Sequence, residues 1–248
     1  MITNNITDLI GNTPLIKLKY PSEISGCEIY GKAEFLNPAG SVKDRTALGI
    51  ILDAEEKKLI EPGGTVVEGT FGNTGIGLAL VCNARNYKLK VVMPNVTVPS
   101  KRDILKNMGA ELHLVDAKPY SDPGNYQRVS QKLAIELEKE TGKKTFWAGQ
   151  FENLANYQFH EKTTAKEIYD QTNGKVDAFT CAIGTGGTIT GVSVGLKSFN
   201  KKIIIGCTDS QGSSMYNYFT KGTPEKKGDE SITEGIGQAR VTKNLENC

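Results

Sequence analysis

Three short segments carry side chains that could do chemistry. The first is Asn37-Pro38-Ala39-Gly40-Ser41-Val42-Lys43-Asp44-Arg45, a turn that leads into a helix with a lysine in its first turn. A lysine placed there points toward the middle of the fold, where an amine can act as nucleophile and as base. The plainer reading of such a lysine, beside Asp and Arg, is a solvated surface residue. The second is Glu68-Gly69-Thr70-Phe71-Gly72-Asn73-Thr74-Gly75-Ile76-Gly77, which follows a predicted strand and opens an apolar helix. Backbone N–H groups at such a turn form a concave site for an anion. The glycines also suit close packing of helix on strand, but Thr70, Asn73 and Thr74 add polar groups that packing does not demand, and a carboxylate would fit. The third is Gly184-Thr185-Gly186-Gly187-Thr188-Ile189-Thr190-Gly191. Here again a strand feeds a glycine turn and then a helix, so amides and the positive helix end can cradle a phosphate without Lys or Arg.

The elements that must hold these segments alternate in type. Residues 29–36, 65–68, 89–93, 111–115, 145–148, 176–183 and 203–208 read as strands, separated by helical stretches. That rhythm predicts an α/β fold with parallel sheets and crossover helices. Between two of the strands, Ser100 reads as a helix cap with Asp103 at the third position, and Gly109 as the helix end. Residues 117–125 and 221–230 read as polar surface loops. No fixed-period repeat is visible, although the two glycine turns suggest two related α/β layers.

Composition narrows the function. In 248 residues, 38% are hydrophobic and 23% charged, as in ordinary globular chains, and the net charge is only +2. The basic residues are scattered, which argues against a nucleic-acid binder. Met1 to Asp8 lack the basic start and apolar run of a secretory signal, so the cytoplasm is the expected address. Cys27, Cys82, Cys181, Cys207 and Cys248 form no CxxC pair and read as buried, reduced thiols. With only His113 and His160 besides, no metal site is expected.

The three segments, in this order and spacing, resemble the cysteine synthase (O-acetylserine sulfhydrylase) branch of the tryptophan-synthase-β-like pyridoxal-phosphate enzymes. Supporting stretches are Ile10-Gly11-Asn12-Thr13-Pro14-Leu15, Gln150-Phe151-Glu152-Asn153-Leu154-Ala155-Asn156 and Thr233-Glu234-Gly235-Ile236-Gly237, so the likeness spans nearly the whole chain. It implies two αβα domains with mostly parallel, twisted sheets: residues 38–147 as a smaller, mobile domain, and 1–37 with 148–248 as a larger one. It further implies that Lys43 forms the covalent imine link to pyridoxal 5'-phosphate and that Asn73 hydrogen-bonds the ring hydroxyl. Gly184, Thr185, Gly186, Gly187 and Thr188 would bind the phosphate. Thr70, Phe71, Gly72, Asn73, Thr74 and Gln150 would form the site for the substrate carboxylate, with Gly235 in a loop facing the ring.

The implied reaction is elimination or replacement of a β-substituent on an amino acid, above all O-acetylserine plus sulfide to cysteine and acetate. A homodimer is implied, with serine acetyltransferase as a possible partner. Two departures from the family pattern bear on this. Phe71 stands where the family carries a small residue, and its ring either packs beneath the carboxylate loop or fills the site. Relatives also continue past the equivalent of Cys248, with a serine that meets the pyridine nitrogen, so the chain reads either as truncated or cleaved, or as a divergent form that compensates by association. The competing readings are a cystathionine β-synthase-like or serine-dehydrating enzyme, a weakly active binding module, and a nicotinamide enzyme built on the 184–191 turn with Asp209.

Overall fold

The computed structural model describes residues 2–225, 233 and 235–248. A short antiparallel hairpin, β1 (Leu15–Lys17) with β2 (Tyr30–Lys32), encloses helix α1 (Lys19–Ser25). Helix α2 (Lys43–Glu56) follows, and then the main sheet: β3 (Thr65–Gly69), β4 (Lys88–Pro94), β5 (Glu111–Val115) and β6 (Thr145–Trp147). Its strand order is β5-β4-β3-β6 and every pairing is parallel. The crossovers are α3 (Asn73–Ala84), α4 (Pro99–Asn107) and α5 (Tyr126–Thr141).

The second half opens with α6 (Ala155–His160), which runs through a π-helical turn (Glu161–Ala165) into α7 (Lys166–Gln171). A second parallel pair, β7 (Ala178–Ala182) and β8 (Ile204–Thr208), is joined by α8 (Gly187–Phe199), and α9 (Met215–Lys221) follows. The fold is therefore the expected α/β type with parallel sheets. Among the described residues no helix is long and apolar enough to cross a membrane.

The central strands β3 and β4 are covered on both faces, which explains their near-continuous valine content. Val66, Val91 and Met93 face a core shared with Ile50, Ile51, Leu78 and Leu105 from α2, α3 and α4. Val67 and Val92 face Tyr126 and Ala134 of α5 instead. This alternation fixes which side chains of β3 reach which layer.

Four local expectations need correction. The stretch 29–36 is a strand only over Tyr30–Lys32, after which Glu34–Leu36 form a 3-10 turn that swings Glu34 toward Arg45. β1 has no counterpart among the predicted strands, because its three residues are too few to show a period. Helix α4 begins at Pro99, so Ser100 lies inside its first turn and makes no side-chain cap; the proline's fixed φ starts the helix instead. Of the five thiols only Cys82 is buried; Cys27, Cys207 and Cys248 are exposed and Cys181 is half-buried, since the two-stranded sheet leaves β8 uncovered. Gly109 does follow the end of α4, with φ +81°, and residues 117–124 form a loop; the expected loop at 221–230 lies partly outside the described residues.

Candidate active site

Lys43 is the first residue of α2, as its turn predicts. The turn is locked by its own side chains: Ser41 Oγ accepts from the Lys43 N–H at 3.1 Å and Asp44 Oδ2 accepts from the Ala39 N–H at 2.6 Å. Asp44 is buried, and that burial raises its pKa to about 6 despite the backbone bonds it accepts. Burial lowers the Lys43 pKa from the ordinary lysine range, with the Cys181 thiol acting in the opposite sense. Lys43 is half-buried, and an amine partly withdrawn from water in this way spends more time unprotonated, the state a nucleophile or base requires.

Helix α2 is held from two sides. Toward the main sheet, Gly77 of α3 comes so close that an added Cβ would lie 2.9 Å from the Lys43 carbonyl oxygen. Toward the second half, Thr46 Oγ1 donates to Asn156 Oδ1 at 3.0 Å, and Gly49 lies directly against Phe159. Arg45 is fully buried and bonds to Glu34, Glu167 and Thr13. Lys32 joins the cluster through Glu167 at 2.6 Å.

At the first glycine turn the structure brings together Thr70, Phe71, Gly72, Asn73, Thr74 and Gln150. Gly72 has φ +151° and ψ −73°, a conformation open to glycine and strained for other residues, and its N–H donates to Thr70 Oγ1 at 3.1 Å. Asn73 opens α3 and is exposed, while Thr70, Thr74 and Gln150 are buried. Thr74 Oγ1 donates to Gln150 Oε1 at 2.5 Å, across 76 residues of sequence. The Phe71 ring packs edge-on against Tyr126, 5.0 Å between centroids, in the cluster on the α5 face. Of the two positions open to it, the ring takes the one beneath the loop, which leaves the first N–H groups of α3 to an anion.

The second turn, Gly184 to Thr188, opens α8. Gly186 has φ +86°, and a Cβ there would lie 2.5 Å from Leu245 Cγ. Asn156 Nδ2 donates to Thr185 Oγ1 at 2.9 Å, so one asparagine ties the turn to Thr46, one helical turn from Lys43. His160 Nε2 stands 3.4 Å from Thr188 Oγ1 and its Nδ1 lies 2.8 Å from Thr164 Oγ1. Burial, and then the Arg45 charge, lower the His160 pKa to about 3, so it is neutral. Gly235 lies against this turn, its carbonyl oxygen 2.6 Å from where a Gly184 Cβ would be, and the Gly237 N–H donates to the Ile183 carbonyl. Glu234, in the same stretch, lies outside the described residues.

Lys43 interacts electrostatically with both His160 and Cys181. His160 touches the second turn and Cys181 precedes it by three residues, so the amine and the turn face a common region. A desolvated lysine, an amide cradle at a helix start and a second anion turn fit an aldehyde cofactor that carries a phosphate and takes an amino acid. Sequence reasoning assigned no role to Glu68, Thr46 or His160. Glu68 and Asn156 stood inside the quoted motifs, but burial and partners across 80 or more residues leave no local signal.

The profile of the family described as "Pyridoxal-phosphate dependent enzyme" matches residues 6–247. Cysteine synthase 1 of Neurospora crassa is 50% identical over 247 residues, covering 98% of this chain and 64% of the relative. Cysteine synthase 1 of Emericella nidulans is 48% identical over 246 residues, covering 98% and 65%. The chain thus spans just under two thirds of the length of these relatives. Among solved structures, O-ureido-L-serine synthase superposes with a TM-score of 0.84 at 34% identity, over 99% of this chain and 73% of that one. Together with Lys43 and the two anion turns, these matches show that the chain belongs to the pyridoxal-phosphate-dependent enzymes, in their cysteine synthase branch.

Proposed function

We propose that the chain serves β-replacement on an amino acid, taking O-acetylserine and sulfide to cysteine and acetate. The observation that carries this reading is Lys43: a half-buried amine with a lowered pKa at the start of α2, a helix bonded through Thr46 and Asn156 to one glycine turn and packed through Gly77 on the other. The relatives named cysteine synthase support the choice of reaction.

In this reading the residues of the second turn, Gly184, Thr185, Gly186, Gly187 and Thr188, hold the cofactor phosphate at the start of α8, where amide groups and the helix end favour an anion. Asn73, exposed at the start of α3, would hydrogen-bond the ring hydroxyl. When bound, pyridoxal phosphate supplies the conjugated electron sink that makes loss of the α-proton and of the β-substituent feasible. Lys43 Nζ would hold the cofactor and, with an amino acid bound, would be the group placed to take the α-proton; its lowered pKa favours the unprotonated amine that can accept one. The first turn binds the substrate carboxylate and so fixes the α C–H bond relative to Lys43.

Replacing Lys43 with Ala is expected to abolish both the visible absorbance of the bound cofactor and cysteine formation; survival of both would overturn the reading. A homodimer fits the apolar side chains exposed near the start of the chain, Tyr20, Ile24, Phe35 and Leu36, and sedimentation of the purified protein reports it. Serine acetyltransferase is the expected heterologous partner, and co-sedimentation tests it.

A further inference from the structure

Glu68 is the last residue but one of β3, directly before Gly69 and the first glycine turn, and its side chain is buried. Its Oε1 accepts from Gln150 Nε2 at 3.0 Å and its Oε2 lies 3.4 Å from the Gln150 backbone N–H. The other amide hydrogen of Gln150 points to the Gly69 carbonyl at 3.4 Å, and Gln150 Oε1 accepts from Thr74. The backbone carbonyl of Gln150 is fixed by Asn156 and Asn244, so the residue cannot swing away.

In this arrangement the single hydroxyl proton of Thr74 is spent on Gln150 and both amide hydrogens of Gln150 are spent inward. Thr74 then presents only lone pairs to the place where a carboxylate would sit. The oxygen and nitrogen of an amide exchange places with almost no change of shape, so the same atoms support a chain that runs the other way. A protonated Glu68 would donate to the Gln150 oxygen, the Gln150 amide would donate to Thr74 Oγ1, and Thr74 would be free to donate outward. Only the long contact to the Gly69 carbonyl is given up.

We propose that a proton on Glu68 sets the direction of the Glu68–Gln150–Thr74 chain, so that Thr74 donates to the substrate carboxylate and Glu68 acts as a positioning residue for amino-acid binding. This rests on the reading of the first turn as the carboxylate site. Burial raises the Glu68 pKa to about 8, against the bonds it accepts from Gln150 and from the backbone of Gly149 and Gly69, so the proton is present at neutral pH. The ionisable groups on the elements around Glu68 are few. Helix α5 carries Tyr126 and Arg128, the segment after β6 carries Glu152 with Arg240 paired to it, and the start of α2 carries Lys43 and Asp44. The first two turns of α3 are uncharged, and β4 places Val91 alongside.

The test uses cofactor-loaded protein and propionate, a carboxylate without an amine, with affinity measured by calorimetry between pH 6.5 and 9.5. Wild-type affinity is expected to fall roughly tenfold on passing pH 8, the order of one hydrogen bond to a charged group. Glu68→Gln, whose amide donates to Gln150 at every pH, should keep the neutral-pH affinity throughout. Thr74→Val should bind at neutral pH as weakly as wild type does at pH 9.5 and show no such fall. If Glu68→Gln falls as wild type does, or wild type does not fall, the inference is overturned while the functional reading stands. Absence of the cofactor's visible band from wild type would overturn the functional reading and this inference with it.

Discussion

Two glutamates, Glu68 buried and Glu167 partly buried, meet opposite fates in this molecule. At Glu167, burial favours the neutral acid, but the bonds from Arg45 and Lys32 outweigh it and hold the pKa at about 2. At Glu68, burial meets only amides, and the pKa rises to about 8. The residue type is the same and both side chains are largely withdrawn from water, so the partners decide the charge. The cluster around Arg45 joins three stretches of chain and fixes the helix that bears Lys43. The chain from Glu68 joins neutral dipoles and can reverse. One region is built to stay in a single arrangement, the other to respond to a proton.

The largest expected effect breaks the ionic region. Replacing Arg45 with Met removes the cation shared by Glu34 and Glu167 and strands two carboxylates beside the single ammonium of Lys32. Breaking a buried pair by removing one partner costs about 3–5 kcal/mol, and denaturant unfolding at pH 7 should show a loss of that order. A loss below about 1 kcal/mol would mean that water reaches the cluster and that Glu167 is charged because it is solvated rather than because of its partners.

The pH dependence of stability sharpens the contrast, because the two glutamates run in opposite directions. For Glu68 the folded pKa lies above the unfolded value of 4.5, so the folded state holds a proton the unfolded chain releases. Stability is therefore lost as pH rises from about 4.5 through 8. Glu68→Gln should remove that decline, a gain of a few kcal/mol at pH 8 at about 1.4 kcal/mol per unit of pKa difference. For Glu167 the folded pKa is depressed, so its contribution is present above 4.5 and lost as pH falls through about 2. Glu167→Gln should therefore destabilise at pH 7 by a few kcal/mol and converge on wild type in strong acid. Thermal unfolding of both variants across pH checks the two signs.

How far the sequence discloses these regions follows from the range of the interactions. The strand-glycine-helix turns at 69–77 and 184–191 are local patterns, and the sheet follows from short valine-rich runs, so both are legible. Lys43 at the first position of α2 is legible because Pro38, Gly40 and Ser41 mark the turn before it. The Arg45 cluster is not, since its members lie at 13, 32, 34 and 167 and nothing local marks them as neighbours. Glu68 is visible as a letter in the motif, but its protonation depends on Gln150, 82 residues away. The position of the Phe71 ring likewise depends on Tyr126, at the start of a distant helix.

The smallest effect separates distance from burial. Lys166 meets Asp170 within α7 at 2.5 Å and Lys32 of β2 meets Glu167 of α7 at 2.6 Å, so by length alone the two pairs would count equally. The first pair is 61% and 57% exposed, the second 10% and 13%. In water the Lys166 pair gains little Coulomb energy, gives up side-chain freedom and is screened by salt, so Lys166→Ala should change stability by about 0.5 kcal/mol or less. Burial lowers the pKa of Lys32, against the pull of Glu167, so its charge is held at a cost that only the carboxylate offsets. Lys32→Ala leaves Glu167 to Arg45 alone and should cost more than Lys166→Ala, in both low and high salt. If the two substitutions cost the same, and salt erases both, the region around Arg45 is solvated and its glutamates differ from Glu68 for some reason other than their partners.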